Sequence, residues 1–171
     1  MTRKILVAGV GNVLRGDDGF GVRVAQRMET LPLPSGVTIA DIGISGISLL
    51  HQLMDGYDCC IVVDAADRGV APGTLFLLQP QLETDSAEDK NRVHRQLVDA
   101  HYAEPSLVLP LAKVLGILPE VVYVLTCQPC EMDELTEILS PPMERAVEEA
   151  ILMVQRLIAD GGEVTHTQGL A

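Results

Sequence analysis

Six residues without a polar side chain, Ile5 to Val10, run directly into Gly11-Asn12 and then, past Val13, Leu14 and Arg15, into Gly16-Asp17-Asp18-Gly19. So short an apolar run, bounded by glycine, reads as a strand buried on both faces. The glycines force a loop, and a helical period resumes after Gly19. The loop ends in two adjacent carboxylates just where the next helix starts, which limits its chemistry as well as its fold. After Gly9 and Gly11, Leu14 stands where the third glycine of G-x-G-x-x-G belongs, and no Gly-Lys-Ser/Thr follows. Phosphate is thus a poor ligand, since paired acids repel it and attract a cation or a proton donor even at a helix start that by itself favours anions. Helix capping is the plainer role for Asp17, but one N-cap is enough for one helix.

The same strand, glycine loop and helix recur. Val37 to Ile42 forms a second strand, Asp41-Ile42-Gly43-Ile44-Ser45-Gly46 a loop with two glycines, and Leu49, Leu50 and Leu53 one side of a short helix. A third strand, Cys59 to Val63, ends at Asp64. Ligands of open α/β sheets sit at the carboxyl ends of the strands, so Asp18 and Asp64 are expected at one edge. Thr74 to Leu78 follows too soon for a parallel crossover and is expected to run antiparallel at the sheet edge. Residues 80–92 are polar and without period, as in a mobile surface loop. An aliphatic helix carrying Leu107, Leu111, Val114 and Leu115 leads to a fifth strand, Val121 to Leu125, and to Thr126-Cys127-Gln128-Pro129-Cys130. The last helix has Ser140 as N-cap and Pro141 at its first position, with a stripe of Met143, Val147, Ala150, Val154, Leu157 and Ile158. These elements predict one three-layer α/β/α domain over residues 1–161, with a polar tail at 162–171. Its twisted sheet has five strands, mostly parallel with one antiparallel, and helices on both faces.

A chain of 171 residues suits a single domain with a full core. With no Trp, two Phe and three Tyr, that core must be built of Leu, Ile, Val and Ala. A formal charge of -12 speaks against nucleic acid or an anionic membrane as partner. Lys113 and Glu120 interrupt the best candidate for a membrane span, Leu107 to Leu125. The first apolar run is too short for a secretory signal, so the expected compartment is the cytoplasm, with the four cysteines reduced. Cys127 and Cys130 have the spacing of a redox pair or half a zinc site. Cys59 and Cys60 lie in a buried run and do not complete one, which points to packing thiols. His51, His94 and His166 read as surface or capping residues, and so by itself does His101, ahead of the aliphatic helix.

Taken together, G-V-G-N-V-L-R-G-D-D-G-F-G-V, D-I-G-I-S-G, V-V-D-A-A-D-R-G, D-A-H and C-Q-P resemble, in order and over nearly the whole chain, the nickel-iron hydrogenase maturation endopeptidases. The resemblance implies that Asp18, Asp64 and His101 are the catalytic and nickel-binding residues, and that Asp41, Gly43 and Gly46 hold the substrate. It implies an endopeptidase that removes the C-terminal extension of the hydrogenase large-subunit precursor after nickel insertion. The nickel arrives with that precursor and is not a permanent cofactor, and the enzyme works as a monomer. Asp18 departs from the Glu found in many relatives, and Cys127 from a small or aliphatic residue, leaving its thiol as a fourth ligand or a bystander. Either nickel polarises the scissile carbonyl or activates water, or a carboxylate is the general base. No G-x-S-x-G or H-E-x-x-H is present, against serine and zinc-helix proteases. The alternatives are a non-proteolytic nickel or precursor chaperone and a metal-dependent amidase or aminopeptidase of similar fold.

Overall fold

The computed structural model describes residues 3–82 and 105–162. Strand β1 (Ile5–Val10), a 3-10 turn (Gly16–Gly19), helix α1 (Phe20–Glu29), strand β2 (Val37–Gly43), helix α2 (Gly46–Leu53) and strand β3 (Cys59–Ala65) come first. Strand β4 (Leu75–Leu78), helix α3 (Pro105–Val114), strand β5 (Val121–Cys127) and helix α4 (Pro141–Ala159) complete the chain order. The sheet runs β2-β1-β3-β5-β4, parallel throughout except for β4, which pairs antiparallel with β5 at the edge. This is the α/β architecture expected, and the edge placement of β4 follows from its short connection.

Alternation along the buried strands separates two apolar layers. Ile5, Val7, Cys59, Ile61, Val63, Tyr123 and Leu125 face α1 and α4, whereas Leu6, Ala8, Cys60, Val62, Val122 and Val124 face α2 and α3. Cys59 and Cys60 thus belong to opposite layers, and all four cysteines are free. The stripe on α4 is buried as its spacing requires. Of the aliphatic residues expected on α3, Leu111 is buried and Val114 packs against the layer, whereas Leu107 and, just past the helix end, Leu115 are exposed; the covered face is completed by Val108, Leu109 and Ala112.

Helix α1 links β1 to β2 on one face, and α2 links β2 to β3 on the other, so the strand order reverses beside β1. At such a reversal the helices diverge and leave a crevice beyond the strand ends. Two glycines set how closely α1 lies on that point. A Cβ at Gly21 would fall 2.0 Å from the Val63 carbonyl oxygen and 2.4 Å from that of Val10, and one at Gly9 would fall 2.2 Å from the Gly21 oxygen. Phe20, fully buried, anchors the same end of the helix, worth roughly 1.5–3 kcal/mol for an aromatic side chain removed from water.

Three element ends differ from expectation. β2 runs one residue past the expected Ile42 and takes Gly43 into the strand, because it continues beside β1 as far as Val10 opposite Gly43. Strand β5 runs on through Thr126 and Cys127, held by β3 on one side and by Leu75 opposite Cys127 on the other. β3 likewise reaches Ala65, which places Asp64 inside its last turn of ladder. Most of the polar stretch at 80–92, and the tail beyond 162, lie outside the described residues.

Candidate active site

The loop after β1 is pinned to the end of β2 by Gly11, whose N–H donates to the Gly43 carbonyl at 2.9 Å. It then folds on itself. Asn12 N–H donates to Asp18 Oδ2 at 2.9 Å, Leu14 N–H to Asn12 Oδ1 at 3.0 Å, and Asp18 N–H to the Arg15 carbonyl at 3.1 Å. Asp18 is thereby half-buried and fixed through one carboxylate oxygen. From the neighbouring strand comes Asp64, half-buried, its Oδ1 accepting from Ala65 N–H at 2.9 Å.

Both acids line one cleft of about 440 Å³ together with Gly11, Gly43, Asp67, Arg15 and Met132. It lies at the carboxyl ends of β1 and β3, where the strand order reverses. Asp64 also borders a second cleft of about 270 Å³, walled mainly by Arg68, Leu78, Leu109, Val124 and Thr126. Of the residues expected to hold substrate, only Gly43 lines the acidic cleft. Asp41 is exposed on β2 and accepts from Gln26 Nε2 at 3.1 Å, and Gly46 begins α2. His101 lies outside the described residues. Among the described residues, no three His, Cys, Asp or Glu side chains form a group that could hold a metal ion.

Asp17 has a role that its position in the sequence does not suggest. It is 2% exposed, and its carboxylate caps neither its own turn nor α1. Oδ1 accepts from Ser140 N–H at 2.7 Å, and Oδ2 from the Ser140 hydroxyl at 2.8 Å, Cys130 N–H at 2.8 Å and Glu131 N–H at 3.3 Å. One buried carboxylate therefore ties the loop after β5, and the start of α4, to the loop after β1. Gly16 N–H to the Thr136 carbonyl at 2.7 Å and Thr136 N–H to the Leu14 carbonyl at 3.1 Å extend the seam.

Gln128 performs a similar service for the loop after β3. Buried itself, it accepts from Arg68 N–H at 2.6 Å and donates to Asp67 Oδ1 at 3.0 Å. That amide, with Gly69 N–H, holds the Asp67 carboxyl below the usual carboxylate range. The C-Q-P motif was visible in the sequence; its partner loop was not. Cys127 is buried in the layer under α4, its Sγ 3.3 Å from Met143 Sδ, and burial pushes the thiol up to about 12. It lines neither of the two clefts that Asp64 borders.

The family model described as hydrogenase maturation protease matches residues 22–157. The chain belongs to that family. The hydrogenase expression/formation protein HupD of Rhodobacter capsulatus is 35% identical over 164 residues, covering 95% of this chain and 75% of its own. A putative hydrogenase maturation protease of Methanocaldococcus jannaschii is 34% identical over 155 residues, 89% of this chain and 94% of its own. Among solved structures, the hydrogenase maturating endopeptidase HybD from E. coli superposes with a TM-score of 0.73 at 29% identity, over 93% of this chain and 94% of its own. As a hydrogenase maturation protease the protein is a peptidase, hence a hydrolase. The family model opens at Val22, just beyond the acidic pair. The match to the Rhodobacter protein leaves too few residues outside it to omit Asp18.

Proposed function

We propose that this protease removes a C-terminal extension from the large-subunit precursor of a nickel-iron hydrogenase after nickel has been inserted. Asp18, Asp64 and His101 are the residues that read the nickel. The observation that carries this is the meeting of Asp18, from the loop after β1, and Asp64, from the end of β3, in one cleft. Two carboxylates facing one space are at their best with a cation between them. Carboxylate oxygen with imidazole nitrogen is a donor set suited to first-row divalent ions, and it leaves positions for groups of the substrate.

Nickel is thus part of the substrate. Bound in the cleft, it lends Lewis acidity to the scissile carbonyl. Water adds at the carbonyl carbon, the C–N bond breaks, and the departing amine takes a proton; a carboxylate of the cleft is the group placed to pass it. Asp17, engaged by four donors, is left to structure. Four free cysteines suit a reducing cytoplasm, and no described helix is long and apolar enough to cross a membrane.

The test is to incubate the purified protein with precursor carrying or lacking nickel and to weigh the products. Loss of the extension from the nickel-loaded precursor alone is expected, and Asp18→Asn, Asp64→Asn and His101→Ala should each fold and fail to cut. An uncut precursor would favour a chaperone, and turnover of small peptides without nickel a general amidase.

A further inference from the structure

The loop between β5 and α4 presents two large aliphatic side chains to solvent from a backbone that is held in place. Leu135 is 86% exposed and Ile138 77%. Free loops show side chains this way at little cost, but this one is fastened along its length. Besides the Asp17 clamp and the Thr136 pairings, Asp133 N–H donates to Glu131 Oε1 at 2.8 Å and Ile138 N–H to Thr136 Oγ1 at 3.2 Å. Arg23 Nη2 donates to the Glu137 carbonyl at 2.9 Å. Leu14, 54% exposed, lies beside it through the Thr136 pairing. Exposed apolar side chains on a rigid, polar-rimmed support mark an interaction surface.

The charged side chains of the loop itself carry a single sign. Glu131, Asp133, Glu134 and Glu137 are all exposed, and residues 130–139 include no Lys or Arg. Among the described residues only Asp133 of the four is ion-paired, to Arg15. The loop is continuous with the acidic cleft, because its Met132 lines that cleft, as does Arg15, the ion-pair partner of its Asp133.

We propose that residues 130–139 form the docking surface for the folded body of the precursor, through an apolar patch ringed by basic side chains on that partner. The inference rests on the reading of the cleft as the site of precursor processing. A preformed patch loses little freedom on meeting a preformed surface, which suits the folded body better than a flexible extension. Acidic residues around it steer a basic partner and make association sensitive to salt.

The experiment measures binding separately from cleavage. Wild-type protein and the variant Leu135→Ser/Ile138→Ser are titrated with purified nickel-loaded large-subunit precursor, and with a synthetic peptide of its C-terminal extension. The variant should unfold at the wild-type temperature, bind the precursor at least tenfold more weakly and bind the peptide as before. Glu134→Gln/Glu137→Gln should flatten the dependence of Kd on salt. Equal Kd for precursor in wild type and variant overturns the proposal, as does a loss confined to the peptide. So does a wild-type dimer that the variant converts to monomer. Binding without any cleavage would count against the reading of the cleft as the site of precursor processing and leave the docking surface standing.

Discussion

Replacing Asp17 by Asn separates two neighbouring acids that look alike in sequence. All four groups around Asp17 donate: Ser140 N–H to Oδ1, and the Ser140 hydroxyl, Cys130 N–H and Glu131 N–H to Oδ2. A carboxylate accepts from all of them, whereas an amide must turn its own N–H₂ toward one side. The less damaging orientation keeps oxygen at the Oδ2 position and sets nitrogen against Ser140 N–H. That forfeits one charge-assisted bond, worth about 1.5–3 kcal/mol, and leaves a backbone donor unmatched. The remaining bonds also lose the help of the charge. A loss of roughly 2–4 kcal/mol follows, which in a chain of this size lowers the unfolding midpoint by roughly 5–15 °C. Total stability of about 5–15 kcal/mol keeps the variant folded near room temperature, where it should still process precursor. Asp18→Asn, losing only a carboxylate that accepts from Asn12, should keep the wild-type midpoint and lose processing. Thermal unfolding by circular dichroism, with cleavage followed by mass, reads both. An unchanged midpoint for Asp17→Asn, or an equal drop for Asp18→Asn, would refute this division of labour.

The helix seat and the thiols give further expectations. Gly21→Ala drives a methyl group to 2.0 Å from the Val63 oxygen, a backbone atom that cannot swing aside; overpacking of about 1–3 kcal/mol or more is expected. A midpoint equal to wild type would show that α1 does not lie so close. Burial raises Cys59 from its ordinary 9.0 to about 11, Cys127 to about 12 and Cys60 higher still. At pH 8 a thiol reagent should label only Cys130 in the native protein, and all four cysteines after denaturation. Because the folded state holds these three protons more tightly, their contribution to stability is complete below about pH 9, where unfolded thiols begin to ionise, and is lost as pH rises toward 11–12. A midpoint that climbs with pH over that window would contradict it.

Short-range patterns carried most of the fold. β1 and β3 announced themselves as apolar runs closed by Gly11 and Asp64, and the antiparallel edge strand followed from how little chain precedes it. Strand ends were less visible, because Gly43 and Cys127 are held in the ladder by residues of other strands, opposite Val10 and Leu75. For the site, Asp18 and Asp64 could be placed together because strand tips in such sheets share an edge. What one sequence could not supply was the partner of each loop. Asp17 meets Ser140 across 123 positions, and Gln128 meets Arg68 across 60; neither local period nor spacing encodes such a pairing. The covered face of α3 was hard to read for a related reason. Val108, Leu109, Leu111 and Ala112 sit among equally apolar neighbours, so pattern alone does not say which face the sheet covers.

The tie from Asp17 to Ser140 also has a bearing on when the enzyme comes into being. A ribosome exposes the first strand and its acidic loop early, yet the groups that fasten this loop, at Cys130, Glu131 and Ser140, emerge only after β5, the last described strand, has been made. Contacts so distant along the chain form late. A nascent chain that has reached only β5 therefore holds both cleft acids before the brace can form, and the loop that carries Asp18 is fastened only once Cys130 to Ser140 have been made.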